Sequence, residues 1–422
     1  MSFETISVVG LGYIGLPTAA MFASRKKKVI GVDVNQNAVD TINRGEIHIV
    51  EPDLDMIVHA AVTEGYLKAV TTPEPADAFL IAVPTPFKEC AEGEIPEPDL
   101  RFIEAASKAI APVLKKGDLV ILESTSPVGA TERMAEWLAE RRSDLTFPQA
   151  AGENADVNIA HCPERVLPGH VVRELVENDR VIGGMSTRCS ERSVDLYKTF
   201  VLGDCVITNA RTAEMAKLTE NSCRDVQIAF ANELSIICDK LDINVWELIS
   251  LANRHPRINI LQPGPGVGGH CIAVDPWFIV SKTPEEAQII HTARKVNDAK
   301  PEWVINKVKL AIAEFLQANP DKTAREVTVA CYGLAFKPNI DDLRESPALQ
   351  IAKQIGNTHP GRVLAVEPNI ETLPSCVNSL QLVRFDIAQR EADIGLLLVD
   401  HNEFKTKKNK TIINIDTKGI WE

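Results

Sequence analysis

Ile6-Ser7-Val8-Val9-Gly10-Leu11-Gly12-Tyr13-Ile14-Gly15 sets a short β-branched run directly before three glycines at G-x-G-x-x-G spacing. Where such a run is a strand and the following residues open a helix, the glycines let the backbone turn tightly and approach a pyrophosphate, whose charge the helix N-terminus favours. Gly10, Gly12 and Gly15, with Tyr13 and Ile14 between them, are therefore candidate dinucleotide contacts. Asp33 lies 18 residues after Gly15 and ends the next β-branched run. A carboxylate there accepts hydrogen bonds from a ribose and repels a 2′-phosphate, so NAD is expected rather than NADP. The basic run at 25–28 precedes that strand, where cations near a helix C-terminus are common.

Outward from this stretch, strand-like runs at 6–9, 29–33, 78–84 and 119–124 alternate with helical stretches, the pattern of a parallel sheet. Residues 212–239 form a long helical pattern without Gly or Pro, followed by helical patterns at 245–253 and 288–316. Strand-like runs return at 327–332, 362–366, 394–399 and 411–415. The fold class is α/β: two Rossmann-like domains joined by a central helical region with a long helix. The expected segments are 1–208, binding the dinucleotide, 209–302, central and helical, and 303–422, a second α/β domain suited to a nucleotide.

At 422 residues the chain exceeds the roughly 250–300 that one core supports. Its net charge of −13 argues against a nucleic-acid surface or an anionic membrane, both of which require clustered positive charge. No apolar run approaches the roughly 20 residues that span a bilayer, and the N-terminal residues lack a secretory pattern, so the cytoplasm is expected. Nine cysteines without a C-x-x-C pair favour neither a disulfide framework nor a zinc ribbon, and no metal is expected. Most of them should be small buried hydrophobes.

Cys271 differs from the others because it follows the glycine-dense Gly264-Pro265-Gly266-Val267-Gly268-Gly269-His270, a backbone that a substrate can approach closely. A thiolate there can attack an aldehyde; loss of hydride to NAD⁺ leaves a thioester, which water cleaves. The alternative is a structural cysteine beside a turn. Lys217 and Asn221, four apart on one helix face, can hold an alcohol oxygen and stabilise an oxyanion, or can belong to a solvated face with Glu214 and Glu220. Glu164 is either a water-activating base or a solvated loop residue. Ser124-Thr125-Ser126 sits at a strand's carboxyl end, as a ligand contact, a helix N-cap, or both. Val83-Pro84-Thr85-Pro86 occupies the corresponding place after an earlier strand and can line the nicotinamide side. In the last segment the turn from Tyr332 to Asn339 is followed by Asp341, Asp342 and Arg344; Lys337 and Arg344 suit a nucleoside diphosphate or form a surface ion-pair network.

In order, residues 10–15, 123–129, 163–165, 217–221, 266–276 and 336–344 resemble the UDP-glucose/GDP-mannose dehydrogenase family over essentially the whole length. The resemblance implies a four-electron oxidation at a sugar C6, consuming two NAD⁺ and one water per nucleotide sugar. It implies Cys271 as nucleophile, Lys217 and Asn221 as oxyanion stabilisers, Asp275 orienting or activating water, Glu164 in thioester hydrolysis, and Thr125 at the catalytic water. It also implies Pro84, Thr85, Thr125 and Arg344 at the cofactor. Glu164, Arg165, Val166, Lys217, Asn221, Gly268, Phe336 and Lys337 are implied at the substrate, with Arg257 reaching a neighbouring subunit's substrate in a homodimer built on the central helices. Some relatives carry a second acidic residue where this chain has Pro168, which disfavours a two-carboxylate hydrolysis. A β-hydroxyacid-type dehydrogenase, which stops after one hydride, is the rival enzyme reading; a non-catalytic NAD-sensing module is the rival of another class.

Overall fold

The computed structural model describes residues 3–91, 93–167, 169–269, 271–375, 377–407 and 411–421, so Pro168, His270 and Cys376 lie outside the described residues. The chain divides into two units, Met1–Glu220 with Trp277–Thr283, and Asn221–Pro276 with Pro284–Glu422.

The first unit is built on eight strands: β1 (Thr5–Val9), β2 (Lys28–Val32), β3 (Leu67–Val70), β4 (Ala78–Ile81), β5 (Leu119–Leu122), β6 (Asn158–His161), β7 (Arg180–Gly184) and β8 (Cys205–Asn209). Their order is β3-β2-β1-β4-β5-β6-β7-β8. Runs such as Ala78-Phe79-Leu80-Ile81 and Leu119-Val120-Ile121-Leu122 are buried throughout because helices cover both sheet faces, leaving no solvent side to demand alternation. The two apolar clusters of this unit draw on alternate residues of the same strands: Leu80 and Ile121 belong to one, Phe79 and Val120 to the other. Strand order reverses between β1 and β4, which opens a crevice at their carboxyl ends.

One pairing breaks the parallel rule, and it reverses β7 together with β8, which runs parallel to β7. β7 runs antiparallel to β6, pairing Ala160 with Gly184 and His161 with Gly183. These partners' numbers sum to 344, so the same register carried three residues past His161 sets position 164 opposite position 180. The start of β7 consequently lies at the edge where β5 and β6 end.

The second unit carries a parallel sheet ordered β11-β10-β9-β12-β13, from β9 (Val329–Tyr332), β10 (Val363–Val366), β11 (Gln381–Leu382), β12 (Ile394–Leu397) and β13 (Ile413–Asp416). Apolar clusters again flank it on both faces. Its first turn repeats the device of the N-terminal one. Gly10 N–H donates to Val32 O and Gly333 N–H to Val366 O, each at 2.8 Å. Leu11 N–H donates to the Asp33 carboxylate and Leu334 N–H to the Glu367 carboxylate. In both sheets an acid just past the second strand fastens the turn after the first.

The central helices run over Ala210–Lys240, Val245–Ala252 and Gln288–Ala318, the last passing through Pro301. The strand expected over 78–84 ends at Ile81, with Ala82 N–H giving one further bond to Val9 O before residues 83–84 leave the ladder. Of the eight described cysteines, Cys162, Cys189, Cys238 and Cys331 are buried, whereas Cys90, Cys223 and Cys271 are exposed, so burial is less general than composition suggests.

Candidate active site

The three glycines of the N-terminal turn meet different surroundings. A Cβ on Gly10, whose φ is +90°, would lie 2.7 Å from Ala82 O, and one on Gly15 would lie 1.8 Å from Gly10 O. A Cβ on Gly12 would meet nothing within 4 Å. Two glycines are thus demanded by the chain's own packing. The middle one borders open space at the start of the helix Gly15–Ser24, where a pyrophosphate would be received. Asp33 has one oxygen 2.9 Å from Leu11 N and the other 2.9 Å from Asn35 N, a double duty not anticipated from sequence. Each oxygen keeps lone-pair capacity for a ribose hydroxyl. Thr85 Oγ1 is buried without a hydrogen-bond partner among the described residues, and Pro84 beside it is exposed. An orphaned hydroxyl and an open cradle at the strand-order reversal fit NAD.

After β5 the hydroxyls do not cap a helix. Ser124 Oγ donates to Val83 O at 2.7 Å and Ser126 Oγ to Ser124 O at 2.7 Å, which fixes the turn and leaves Thr125 partly exposed. The helix Ala130–Arg141 begins after Gly129 in the left-handed region. Its first amides are received by Glu214, from Gly129 N at 2.6 Å and Thr131 N at 2.8 Å. Glu214 is fully buried, so its expected place on a solvated face is corrected. An anionic acceptor suits a helix N-terminus better than a hydroxyl does. Burial raises the Glu214 carboxyl above the usual range, with the Thr131 and Gly129 hydrogen bonds opposing.

Glu164 is also not a solvated loop residue: it is 7% exposed. Its Oε2 lies 2.6 Å from Arg180 Nη1, as the β6–β7 register requires, and its Oε1 accepts from Arg165 N at 2.7 Å. Arg165 reaches outward to Glu220 at 2.6 Å, and Val166 packs against the first-unit core. Glu51, itself buried, accepts from Gly169 N and Val171 N and closes the segment. Glu123, the residue after β5, is buried 3.8 Å from Arg180 Nη1 and accepts from the Tyr197 hydroxyl at 2.7 Å. Burial pushes the Glu123 carboxyl up to about 7, with Arg180 opposing and Glu164 reinforcing the rise. Sequence reading missed Glu123, Arg180 and Glu214. The available signal was a charge adjoining an apolar strand, as in Leu122-Glu123 and Arg180-Val181-Ile182, since a buried charge requires a partner.

In the second unit Cys271 is exposed, on the turn that enters the helix Asp275–Lys282; Asp275 N donates to Cys271 O at 2.9 Å. Asp275 is buried, and Asn221 Nδ2 donates to its Oδ2 at 2.5 Å, so these two candidates meet. Lys217 lies one turn before Asn221 on the same helix and is partly buried. The glycine loop is anchored at both ends. Gly264 N donates to Asn232 Oδ1, whose amide in turn donates to Asn297; Asn297 and Arg294 both hold the buried Asp225. Gly269 N donates to Glu345 O, and a Cβ on Gly268 would lie 2.5 Å from the same oxygen. Ser346 Oγ bonds Leu334 O, and Phe336 lies 3.6 Å from the Cβ position of Gly269. The cysteine loop and the turn after β9 are therefore one packed piece.

Lys337 is exposed with its ammonium 5.4 Å from the Phe336 ring centroid, whereas Arg344 makes a close pair with Asp342 at 2.7 Å. For Arg344 the ion-pair reading is the one realised in the structure. Arg344 belongs to the second unit and the glycine fingerprint to the first. Arg257 is exposed beyond the helix Val245–Ala252.

A glycine cradle at the reversal point of a doubly wound sheet defines a nicotinamide-dinucleotide-dependent dehydrogenase, here with an exposed cysteine in an anchored glycine loop. Three sequence models of the UDP-glucose/GDP-mannose dehydrogenase family match: the NAD binding domain over 4–201, the central domain over 211–299 and the UDP binding domain over 330–422. The UDP-N-acetyl-D-mannosamine dehydrogenase of Yersinia pestis is 68% identical, with both chains covered completely. The NDP-N-acetyl-D-galactosaminuronic acid dehydrogenase of Ralstonia solanacearum is 62% identical, over 100% of this chain and 97% of that one. The solved structure of the UDP-N-acetyl-mannosamine dehydrogenase from S. aureus is 40% identical with a TM-score of 0.84, over 99% and 95% of the two chains. The chain belongs to the UDP-glucose/GDP-mannose dehydrogenase family and is an NAD-dependent nucleotide-sugar dehydrogenase.

Proposed function

We propose that the chain oxidises UDP-N-acetyl-D-mannosamine at C6 to UDP-N-acetyl-D-mannosaminuronate through an aldehyde, a thiohemiacetal and a thioester on Cys271. Such a uronate suits surface polysaccharide assembly, enterobacterial common antigen being one destination. The carrying observation is the Cys271–Asp275 turn, with the Asn221 amide on Asp275, in a loop that cannot shift without disturbing Glu345. The full-length identity to the Yersinia pestis enzyme supports the sugar.

The proposed work divides over 1–208 for the cofactor, 209–302 for catalysis and dimerisation, and 303–422 for the nucleotide. NAD, held by Gly10, Gly12, Tyr13, Ile14, Gly15, Asp33, Pro84, Thr85 and Thr125, supplies a hydride acceptor for each of the two oxidations. Lys217 and Asn221 hold the C6 oxygen as its proton leaves, and later the oxyanion formed by thiolate attack. The Cys271 sulfur bonds C6, and departure of the second hydride converts thiohemiacetal to thioester. Glu164 takes a proton from water as it adds to the thioester carbonyl; Asp275 orients the groups around Cys271, and the C–S bond breaks to release carboxylate and thiol. Phe336 and Lys337 receive the nucleotide diphosphate beside Gly268, and Arg165 and Val166 line the sugar. Exposed Phe230 and Ile237 on the long helix, with Leu241, Leu251 and Ile258 after it, support a homodimer in which Arg257 serves the neighbour's substrate.

The Ralstonia solanacearum relative favours one second reading, the same chemistry on an N-acetylgalactosamine nucleotide. Kinetics with UDP-N-acetylmannosamine, UDP-N-acetylgalactosamine, UDP-N-acetylglucosamine, UDP-glucose and GDP-mannose decide between them. The expected result is highest kcat/KM on the first, with two NADH per sugar. One NADH per sugar, or full turnover by Cys271→Ala, defeats the four-electron scheme.

A further inference from the structure

The reversal of β7 delivers a guanidinium to the edge where β5 and β6 end, and two buried carboxylates share it. Arg180 Nη1 is 2.6 Å from Glu164 and 3.8 Å from Glu123, and the guanidinium carbon lies 4.8 Å from the Tyr197 ring centroid. Tyr197 donates to Glu123 at 2.7 Å, while Phe200 and Phe22 close the far side, 4.8 Å apart edge to face. All three charged side chains are under a tenth exposed. One buried cation cannot neutralise two ionised carboxylates, and a low-dielectric interior makes the surplus negative charge costly. A single proton on the pair removes it.

Resting on the reading of Glu164 as the proton acceptor in thioester cleavage, we propose that Glu123 is a positioning residue for that step. Its protonation state sets how fully Arg180 is committed to Glu164. With Glu123 neutral, the guanidinium faces Glu164 alone and stabilises its anion strongly. With Glu123 ionised, the guanidinium divides between two anions, and Glu164 becomes the better acceptor for the proton of the attacking water. The step balances within the site. Water oxygen bonds the acyl carbon, one water proton passes to Glu164, and the C–S bond gives its electron pair to Cys271 sulfur.

The groups facing Glu123 come from four neighbouring elements: Arg180 at the head of β7, Glu164 and Cys162 after β6, Tyr197 at the end of the helix Thr187–Tyr197, and Thr18 on the fingerprint helix. The Cys162 thiol is driven upward by burial and stays protonated, and the Tyr197 hydroxyl likewise, so neither titrates in the working range. Glu123 is pushed up to about 7 and does titrate there.

The test follows the acyl group on Cys271 in the full-length enzyme with NAD⁺ and UDP-N-acetylmannosamine. Single turnovers are acid-quenched from pH 6 to 9, the adduct is weighed by intact-mass spectrometry, and both NADH releases are followed by absorbance. In wild type, adduct decay should accelerate through a step near pH 7. Glu123→Gln should fold, release both NADH normally, and decay at the slow low-pH rate throughout. Tyr197→Phe, which removes a hydrogen bond to the carboxylate, should move the step upward by about one pH unit. A step unchanged in Glu123→Gln overturns the proposal; should that variant fail to fold, an unmoved step in Tyr197→Phe overturns it. Glu164→Gln separates the two readings: persistent adduct at every pH supports its role as acceptor, and normal decay removes that role and this inference with it. Persistent adduct in Glu164→Gln together with an unmoved step in the other variants defeats the inference alone.

Discussion

Gly12 and Gly15 are separated by only two residues, yet they fail in opposite ways when given a side chain. Because nothing stands within 4 Å of a Cβ on Gly12, Gly12→Val should fold with a Tm within about 1–2 °C of wild type while filling the pyrophosphate cradle. NAD⁺ affinity by titration calorimetry should fall at least about tenfold, a loss of roughly 1.4 kcal/mol or more. Gly15→Ala instead drives a methyl to 1.8 Å from Gly10 O, so the strand–turn–helix must spread, and a Tm loss of several degrees is expected before any ligand is added. Gly12→Val with unaltered NAD⁺ affinity would mean that the cofactor does not lie on this turn. The spacing of these glycines was legible in sequence because a tight turn, an open cradle and a close packing each require the same residue type. What each one faces was not.

The helix Ala130–Arg141 shows how an element's end can be supplied from afar. Its first amides are satisfied by Glu214, more than eighty positions along the chain, and no local hydroxyl takes that place. Local pattern reading left a cap at Ser124–Ser126 open beside a ligand contact, because Ser and Thr near a helix start ordinarily serve there. Glu214→Ala leaves Gly129 N and Thr131 N buried without acceptors and should destabilise the first unit by about 1–3 kcal/mol. Urea unfolding followed by tryptophan fluorescence and circular dichroism reads this, and Glu214→Gln should recover part of the loss. A midpoint equal to wild type in Glu214→Ala would refute the capping role. The short strands β6, β7 and β8 escaped sequence reading for a related reason. Each is four or five residues long, and the exposed side chains of β8 give no alternation to detect.

Across the whole molecule, pH acts through side chains that only the assembled fold buries. His161, at the end of β6, is fully buried, and desolvation lowers it to about 3 from an ordinary 6.5. Its folded value is depressed, so the unfolded chain takes up the proton first as pH falls. The contribution to stability is complete above about pH 6.5 and is lost progressively down to about pH 3, at a limiting slope of about 1.4 kcal/mol per pH unit. His161→Phe should flatten the Tm-against-pH curve of the first unit between pH 6.5 and 4, while leaving its value at pH 8 within a few degrees. A curve as steep as wild type would show that other groups carry the acid lability.

The chain's local order was enough to determine two Rossmann-like sheets, a helical segment between them, NAD as cofactor and membership of the UDP-glucose/GDP-mannose dehydrogenase family. Each of these is written in short-range spacing: glycines in one turn, apolar runs of strand length, an acid at the next strand's end. The directions of strands and the partners of buried charges are not short-range properties. Nothing near Arg180 in the chain announces that β7 runs backwards, yet that reversal sets it against Glu164 and Glu123. Nothing near Glu214 points to a helix that begins at Ala130. A charge leaves water only where the fold supplies its counterpart, and residues far apart in number become counterparts only after the sheet has closed around them.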